Sequence, residues 1–217
     1  AKKYKIKVIE DTAQAIGASY TMQNGDVHSA GTMSDIGTTS FFPSKNLGCF
    51  GDGGAVMTNN DELAKIMRMV ANHGQSKKYV HQIIGLNSRL DSIQAAVLRV
   101  KLKNLKDFEN ARNMVASHYD KNLESLPLQV PKRVSNSTHV FHQYTLKLTS
   151  HSRAALQAHL QAAGIPSMIY YPIPAHRQNM FSKFNLGHLH LPLTEALCEQ
   201  VISLPIHTEM DEQQLDY

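Results

Sequence analysis

Apolar positions along this chain come first in short runs and later in long helical periods. "KIKVIED" (5–11) is a β-branched run closed by two carboxylates and predicts a buried parallel strand. "AQAIGASY" (13–20) predicts a short turn or half-helix, and "SDIGTTSFF" (34–42) and "GAVMTN" (54–59) predict two more strands separated by a glycine-rich turn. Asn60 or Asp61 caps a helix through about Ala71, with Leu63, Ile66, Met67 and Val70 on one face. From Asp91 to about Leu123, apolar residues including Ile93, Val97, Val100, Leu105 and Phe108 keep close to a 3.6 period, which predicts one long connecting helix. After "SLPLQVP" (125–131), the pattern predicts a strand at 139–149, a capped helix at 152–164, a strand at 165–172 and a helix at 194–204. The class is α/β. Residues 1–124 form part of a larger domain that includes the long helix, and 125–217 a small C-terminal α/β domain.

Composition narrows the classes of function. The chain has 217 residues, 42% of them hydrophobic and 18% charged, with no low-complexity tract, so it can bury a core. A net charge of +4 favours anionic partners mildly. The basic residues are dispersed, however, and Lys101, Lys103 and Lys106 read as the solvated face of the long helix, not as a nucleic-acid stripe. Two cysteines, Cys49 and Cys198, make no disulfide framework and fit a reducing cytoplasm. No apolar run is long enough for a membrane span, and no signal-peptide pattern opens the chain. Ala1 in place of an initiator methionine, and a closing "TEMDEQQLDY" that reads as a capped helix cut in its first turn, predict a piece of a longer chain, truncated at its end.

The candidate chemistry centres on "SFFPSKNLGCFGDGG" (40–54), where Lys45 precedes Gly48, Gly51, Gly53 and Gly54. A lysine works as a nucleophile only when its amine can lose a proton, which burial and neighbouring cations promote. Alone, such a residue is a solvated surface cation. A nucleotide-binding loop is ruled out by order, because glycines would precede the Lys and a Ser or Thr would follow it. A third reading joins Lys45 to Asp11, a carboxylate at the carboxyl end of a strand, where α/β sheets place ligands. An aspartate that keeps a pyridine nitrogen protonated and a lysine that forms an imine with an aldehyde are what pyridoxal 5'-phosphate requires. For Asp11 the bland alternative is a cap or ion-pair partner.

Three stretches, "VIEDTAQAIGASY", "SFFPSKNLGCFGDGGAVMTNNDELA" and "GLNSRLDSIQAAVLRVKL", resemble the central motifs of the DegT/DnrJ/EryC1/StrS family. "YYPIPAHRQ" (170–178) and "VISLPIHTEM" (201–210) resemble its small-domain motifs in the same order. These are pyridoxal-phosphate sugar aminotransferases of fold type I. The resemblance implies that Lys45 carries the cofactor and moves the proton, that Asp11 pairs with the pyridinium nitrogen and that Gln14 lies against the ring. Ser40 would donate to the cofactor phosphate. Asn87 would reach the phosphate of a neighbouring subunit, implying a homodimer with shared active sites. Relatives that remove a sugar hydroxyl carry histidine where this chain has Lys45, so transamination is implied.

The expected substrates are an amino-acid donor, L-glutamate, and a nucleotide-linked ketosugar for polysaccharide or lipopolysaccharide synthesis. "HGQSKKYVHQIIGLNSRLD" (73–91) looks most like members that aminate the 3-keto group of a UDP-linked 2-acetamido-3-oxo-glucuronic acid. A 4-aminotransferase on a 6-deoxy-ketosugar is the second reading. Arg89 would meet a substrate carboxylate or diphosphate, or else form a surface ion pair with Asp91 or Glu109. Tyr171 would line the sugar pocket, with Tyr170 and His176 as weaker candidates.

The remaining candidates read as structural. His188 and His190 lack a third metal ligand at a useful spacing, so no metal is expected. His139 and His142 read as pocket or edge residues, and Cys49 as small buried filler. A contrasting class of function is a catalytically inactive family remnant that serves as a binding or regulatory module. Family members carry an amino-terminal segment with further cofactor contacts and central strands, so the residues here are expected to be inactive alone and to leave an open sheet edge.

Overall fold

The computed structural model describes residues 1–217, the side chains at positions 2 and 187 excepted. It divides into two compact units, Ala1–Asn110 with Arg133–His142, and Ala111–Lys132 with Gln143–Tyr217. The strands are β1 (Ile9–Asp11), β2 (Ser19–Thr21), β3 (Val27–Ser29), β4 (Ile36–Ser40), β5 (Gly54–Met57), β6 (Gln75–Lys77), β7 (Val80–His81), β8 (Leu128–Gln129), β9 (Tyr144–Leu148) and β10 (Val201–Leu204). The α-helices are α1 (Asp61–Ala71), α2 (Ser92–Lys101), α3 (Leu105–Leu123), α4 (Arg153–Ala162), α5 (Pro192–Gln200) and α6 (Glu212–Asp216). Among the described residues no helix is long and apolar enough to cross a membrane.

The first unit is built on the sheet β1-β4-β5, with β1 parallel and β5 antiparallel to β4. β1 is parallel, as its sequence predicts, but it is not buried. It is an edge strand, and Ile6 and Ile9 are 61% and 66% exposed. Its register with β4 is set by side chains as well as the ladder. Glu10 accepts from the backbone N–H groups of Gly31 (2.7 Å) and Met33 (3.1 Å), and Thr12 donates through its hydroxyl to the Thr38 carbonyl (2.7 Å). The predicted half-helix after Asp11 is a series of turns ending at Gly17, where φ is +91° and a Cβ would fall on the Glu109 carboxylate. Only glycine fits there.

Phe41, Leu47, Cys49 and Leu98 form the core of this unit, with Ile16, Ala55 and Leu105 against it. Cys49 is the buried filler expected of it, 1% exposed, and its one S–H lies within donating reach of the Phe41 carbonyl (3.0 Å) and the Gly51 carbonyl (2.9 Å). Asn60 caps α1 by accepting from the Leu63 N–H, and Asp91 caps α2 by accepting from the Ile93 N–H. The single long helix predicted from Asp91 is instead α2 and α3 joined by a 3-10 turn, Leu102–Asn104. Asn104 there turns its amide back onto the Val100 carbonyl.

In the second unit β9 lies between β8 and β10 in an antiparallel sheet. Tyr144, Leu146 and Leu148 are buried on alternate positions of β9, with Ile202 of β10 beside them. The Tyr144 hydroxyl donates to Asp120 of α3 (2.7 Å), and Tyr119 donates to the Pro205 carbonyl (2.9 Å). Two predicted elements change. The helix expected to reach Leu204 stops at Gln200, because Val201 and Ile202 pair with β9 and bury Ile202. The strand expected at 165–172 is reduced to one bridge between Met168 and Ser203, since Pro166 and Pro172 lack the N–H a ladder needs.

The first turn of α5 is held by Glu195. Its carboxylate meets the His176 imidazole (3.0 Å), the Arg177 guanidinium (3.1 Å), the His190 imidazole (3.0 Å) and the Leu191 N–H (3.2 Å). His188 turns to the Asn185 carbonyl instead, and among the described residues no group of three or more His, Cys, Asp or Glu is arranged to hold a metal ion. The hydrogen bond from His176, then those from Leu191 and Arg177 and the charge of His190, lower the Glu195 pKa from 4.5 to about 2. A carboxyl with a depressed folded-state pKa stabilises above its unfolded value and loses that contribution as pH falls towards the folded one. The unfolding midpoint of the second unit is therefore expected to drop as pH falls from about 4.5 towards 2. Glu195→Gln should flatten that slope in urea titrations, and an equal slope in the variant would remove Glu195 as its source.

Candidate active site

Asp11 and Ser40 stand at the carboxyl ends of β1 and β4, with Gln14 and Lys45 in the segments that follow. Asp11 ends β1 and lies in register with Thr38, and Ser40 ends β4 two residues further on. Asp11 is exposed, and its Oδ1 accepts the Ala13 N–H (3.0 Å), the local cap that its sequence position allows. Thr12, buried beside it, pins the following turn to β4 through the Thr38 carbonyl, and the Thr39 hydroxyl donates to the Thr12 carbonyl (3.2 Å). Asp11 is thus fixed in place at the end of a parallel strand pair with its carboxylate towards solvent.

Lys45 sits half-buried in the loop that leaves β4 and returns as β5. The loop is closed at its neck, where the Phe41 N–H donates to the Gly53 carbonyl and the Cys49 N–H to the Phe41 carbonyl (each 2.8 Å). Within it, the Lys45 N–H donates to the Phe42 carbonyl, and the Ser40 hydroxyl accepts the Phe42 N–H (3.2 Å). Gly48 lets the loop fold on itself, since a Cβ there would stand 2.3 Å from the Pro43 oxygen.

Three side chains, one of the loop and two of α2, then anchor the loop to its surroundings. Buried Asn46 donates to the Val140 carbonyl (2.8 Å), Gln94 of α2 accepts the Phe50 N–H (2.7 Å), and Lys101 donates to the Gly48 carbonyl (2.8 Å). Lys101 was expected on a solvated face with Lys103 and Lys106. Its ammonium instead serves the loop and lies 5.3 Å from the centre of the Phe50 ring, while Lys106 pairs with Glu109 (3.0 Å). The long aliphatic stem of lysine allows this reach. These anchors carry no sequence signal of their own, save that Asn46 is an amide directly beside the candidate lysine.

Gln14 borders a cleft of about 290 Å3 with Ala18, Tyr20, Met33, Thr138 and His139. Its far wall is the Arg133–His142 segment, fastened by Asn46 and by the Thr138 hydroxyl, which accepts the Ser19 N–H (2.8 Å). His139 Nδ1 accepts the Phe141 N–H (2.9 Å), and burial with the charge of Arg133 lowers its pKa, so it is a neutral wall residue near pH 7. Asn87 and Arg89 stand elsewhere in the unit, in the exposed segment before α2. They are joined by a hydrogen bond from Arg89 Nε to Asn87 Oδ1 (3.0 Å), and Arg89 makes no ion pair with Asp91 or Glu109 among the described residues. Tyr171 belongs to the second unit, 65% exposed and edge-on to Tyr170, whereas His176 is occupied by Glu195.

The donor set fits pyridoxal phosphate. It comprises a carboxylate at a strand end, a hydroxyl at the end of the adjacent strand, and a lysine on the anchored loop that leaves that strand. Comparison with known proteins points the same way. The profile of the DegT/DnrJ/EryC1/StrS aminotransferase family matches residues 1–217. A UDP-N-acetyl-3-dehydro-α-D-glucosamine 3-aminotransferase of Acidithiobacillus ferrooxidans is 44% identical over 99% of this chain and 56% of its own length. A UDP-2-acetamido-2-deoxy-3-oxo-D-glucuronate aminotransferase of Pseudomonas aeruginosa is 42% identical over 97% of this chain and 56% of its own. The crystal structure of an aminotransferase of the same family from Brucella abortus superposes with a TM-score of 0.89 at 39% identity, covering all of this chain and 56% of that one. The chain spans little more than half the length of the relatives it matches.

Proposed function

The chain belongs to the DegT/DnrJ/EryC1/StrS aminotransferase family over residues 1–217, and on that premise we propose that the whole protein is a pyridoxal-phosphate-dependent nucleotide-sugar aminotransferase. It takes an amino group from L-glutamate and places it on the keto group of a UDP-linked 2-acetamido-3-oxo sugar. The observation that carries this reading is the anchored Lys45 loop beside the strand ends that bear Asp11 and Ser40. The names of the Acidithiobacillus and Pseudomonas relatives support the 3-keto sugar. Unpaired Cys49 and Cys198 support a reducing cytoplasm as the place of work.

When bound, the cofactor supplies the electron sink. The chain's own residues do the rest. Lys45 would hold the cofactor through its Nζ, and the same amine, once released from that bond, would hold and return a proton at the substrate carbon, within the reach its fixed loop allows. Asp11 keeps the ring nitrogen protonated, Ser40 donates to the phosphate and Gln14 lies against the ring. Arg89 meets the carboxylate or diphosphate of the sugar nucleotide with the planar fork that suits either, and Tyr171 lines the sugar pocket. Asn87 reaches the phosphate of a second subunit, so the protein is a homodimer with shared sites.

Asp11→Asn keeps shape and hydrogen bonding and removes the charge. The half-reaction with L-glutamate should slow by at least ~100-fold, the size of an important electrostatic contact in a transition state. A near-normal rate would leave Asp11 a local cap and nothing more.

Shared sites predict complementation. Lys45→Ala and Asn87→Ala homodimers each lack an intact site, whereas a mixed dimer holds one site with both residues, so mixing two inactive proteins should restore activity. No recovery after verified subunit exchange would assign Asn87 to its own subunit.

A further inference from the structure

His139 carries more constraint than a cleft wall needs. A neutral imidazole donates from one nitrogen and accepts at the other, and here Nδ1 accepts the Phe141 N–H (2.9 Å), which places the proton on Nε2. The bond reaches two residues along the chain, as an Asx turn does, and it closes on a strained backbone. Phe141 has a φ of +43°, in the left-handed region that a bulky side chain seldom occupies. Such conformations persist only where the surroundings over-determine them. They do so here. The Phe141 side chain is fully buried, its ring centre lies 4.0 Å from that of His139, and the Arg133 guanidinium stands 4.6 Å from it.

The peptide held in this way serves the neighbour of Lys45. Val140 and Phe141 share one trans peptide group, whose N–H and C=O point in opposite directions because the unit is planar. His139 fixes the N–H end. The C=O end, at Val140, accepts the Asn46 amide (2.8 Å). Asn46 follows Lys45 directly and is 8% exposed, and its Oδ1 is buried without a hydrogen-bond partner among the described residues. The Val140 carbonyl is therefore the polar tie that orients the Asn46 side chain. The path runs from imidazole to peptide to carboxamide and ends one residue from Lys45, and hydrogen bonds in series polarise and strengthen one another.

We propose that His139 is a positioning residue for Lys45, acting through the Val140–Phe141 peptide and Asn46. Loss of the Nδ1 acceptor frees the peptide to turn, takes the Val140 carbonyl from Asn46 and loosens the loop beside the lysine. This role rests on the aminotransferase reading, with Lys45 as the cofactor lysine. It also makes the site sensitive to acid. Arg133 and, across the cleft, Tyr20 are the ionisable groups that border His139. Desolvation and then the Arg133 charge hold the His139 pKa below 6.5, so the neutral form is the working one at pH 7. Protonation, as pH falls through that lowered value, turns Nδ1 into a donor and breaks the bond from Phe141.

Binding of two cofactor forms to the whole protein tests it. Pyridoxal phosphate is the form that Lys45 bonds, and pyridoxamine 5'-phosphate is one that it does not. His139→Leu keeps the bulk and removes the acceptor. It should weaken pyridoxal phosphate on the order of 10-fold, as an unpaired buried group does, and leave pyridoxamine phosphate within twofold. His139→Asn offers an acceptor at the same spacing without a titrating ring and should restore pyridoxal phosphate binding. The unaltered protein should lose pyridoxal phosphate more steeply than His139→Asn between about pH 6.5 and about pH 5. Circular dichroism checks the fold of each variant, and if His139→Leu does not fold, the pH comparison decides. Pyridoxal phosphate affinity within twofold of the unaltered protein in His139→Leu, equal weakening of both forms, no advantage of Asn over Leu, or identical pH profiles would overturn the proposal. A borohydride label on Lys45 of the unaltered protein keeps the aminotransferase reading intact in each of these outcomes, and its absence would sink both.

Discussion

The closed neck of the 41–53 loop is the constraint on which the placing of Lys45 depends. Two backbone bonds at Phe41, to Gly53 and from Cys49, turn an excursion between antiparallel strands into a closed ring. Buried Cys49, Leu47 and Phe41 fill it from beneath, and Leu98 of α2 packs on the same cluster. Asn46 ties it to Val140, and Gln94 and Lys101 tie it to the two ends of α2. Each of these bonds is worth only about 1 kcal/mol net, with somewhat more for the charged one. Their effect is cumulative in geometry, because they fix the loop at Phe41, Asn46, Gly48 and Phe50, on both sides of Lys45.

The same constraint explains the return of Arg133–His142 to the first unit. The Asn46 amide needs a buried acceptor, and the Val140 carbonyl provides it. That contact builds the wall of the Gln14 cleft and brings neutral His139 to it. The second unit rests on a different device, alternate burial along β9 between β8 and β10, with the Glu195 cluster securing the start of α5. The candidates Asp11, Gln14, Ser40, Lys45, Asn87 and Arg89 lie in the first unit, and Tyr170, Tyr171 and His176 in the second.

Much of this was legible in the sequence, and for stateable reasons. β4, β5, α1 and α4 follow from strong period and clear caps at Asn60 and Ser152. The family and its α/β fold follow from motifs that are long and ordered, which local structure cannot blur. The hairpin of β2 and β3 was missed although Asn24-Gly25 marks its turn, since the flanking strands are only three residues each. The 194–204 helix holds to Gln200 and misses only β10, because period alone cannot tell a last helical turn from a short strand that pairs 58 residues away, as Ser203 does with Thr145. The anchoring role of Lys101 was hidden because a lysine at a polar helix position looks the same in sequence whether solvated or turned inward.

The central claim is that Lys45, presented by its anchored loop, is the residue that carries pyridoxal phosphate. Borohydride reduction of the whole protein loaded with the cofactor, followed by peptide mass mapping, tests it most directly. The account predicts a pyridoxyl group on the peptide containing Lys45 and its loss in Lys45→Ala. A label on another lysine, or none, would contradict it.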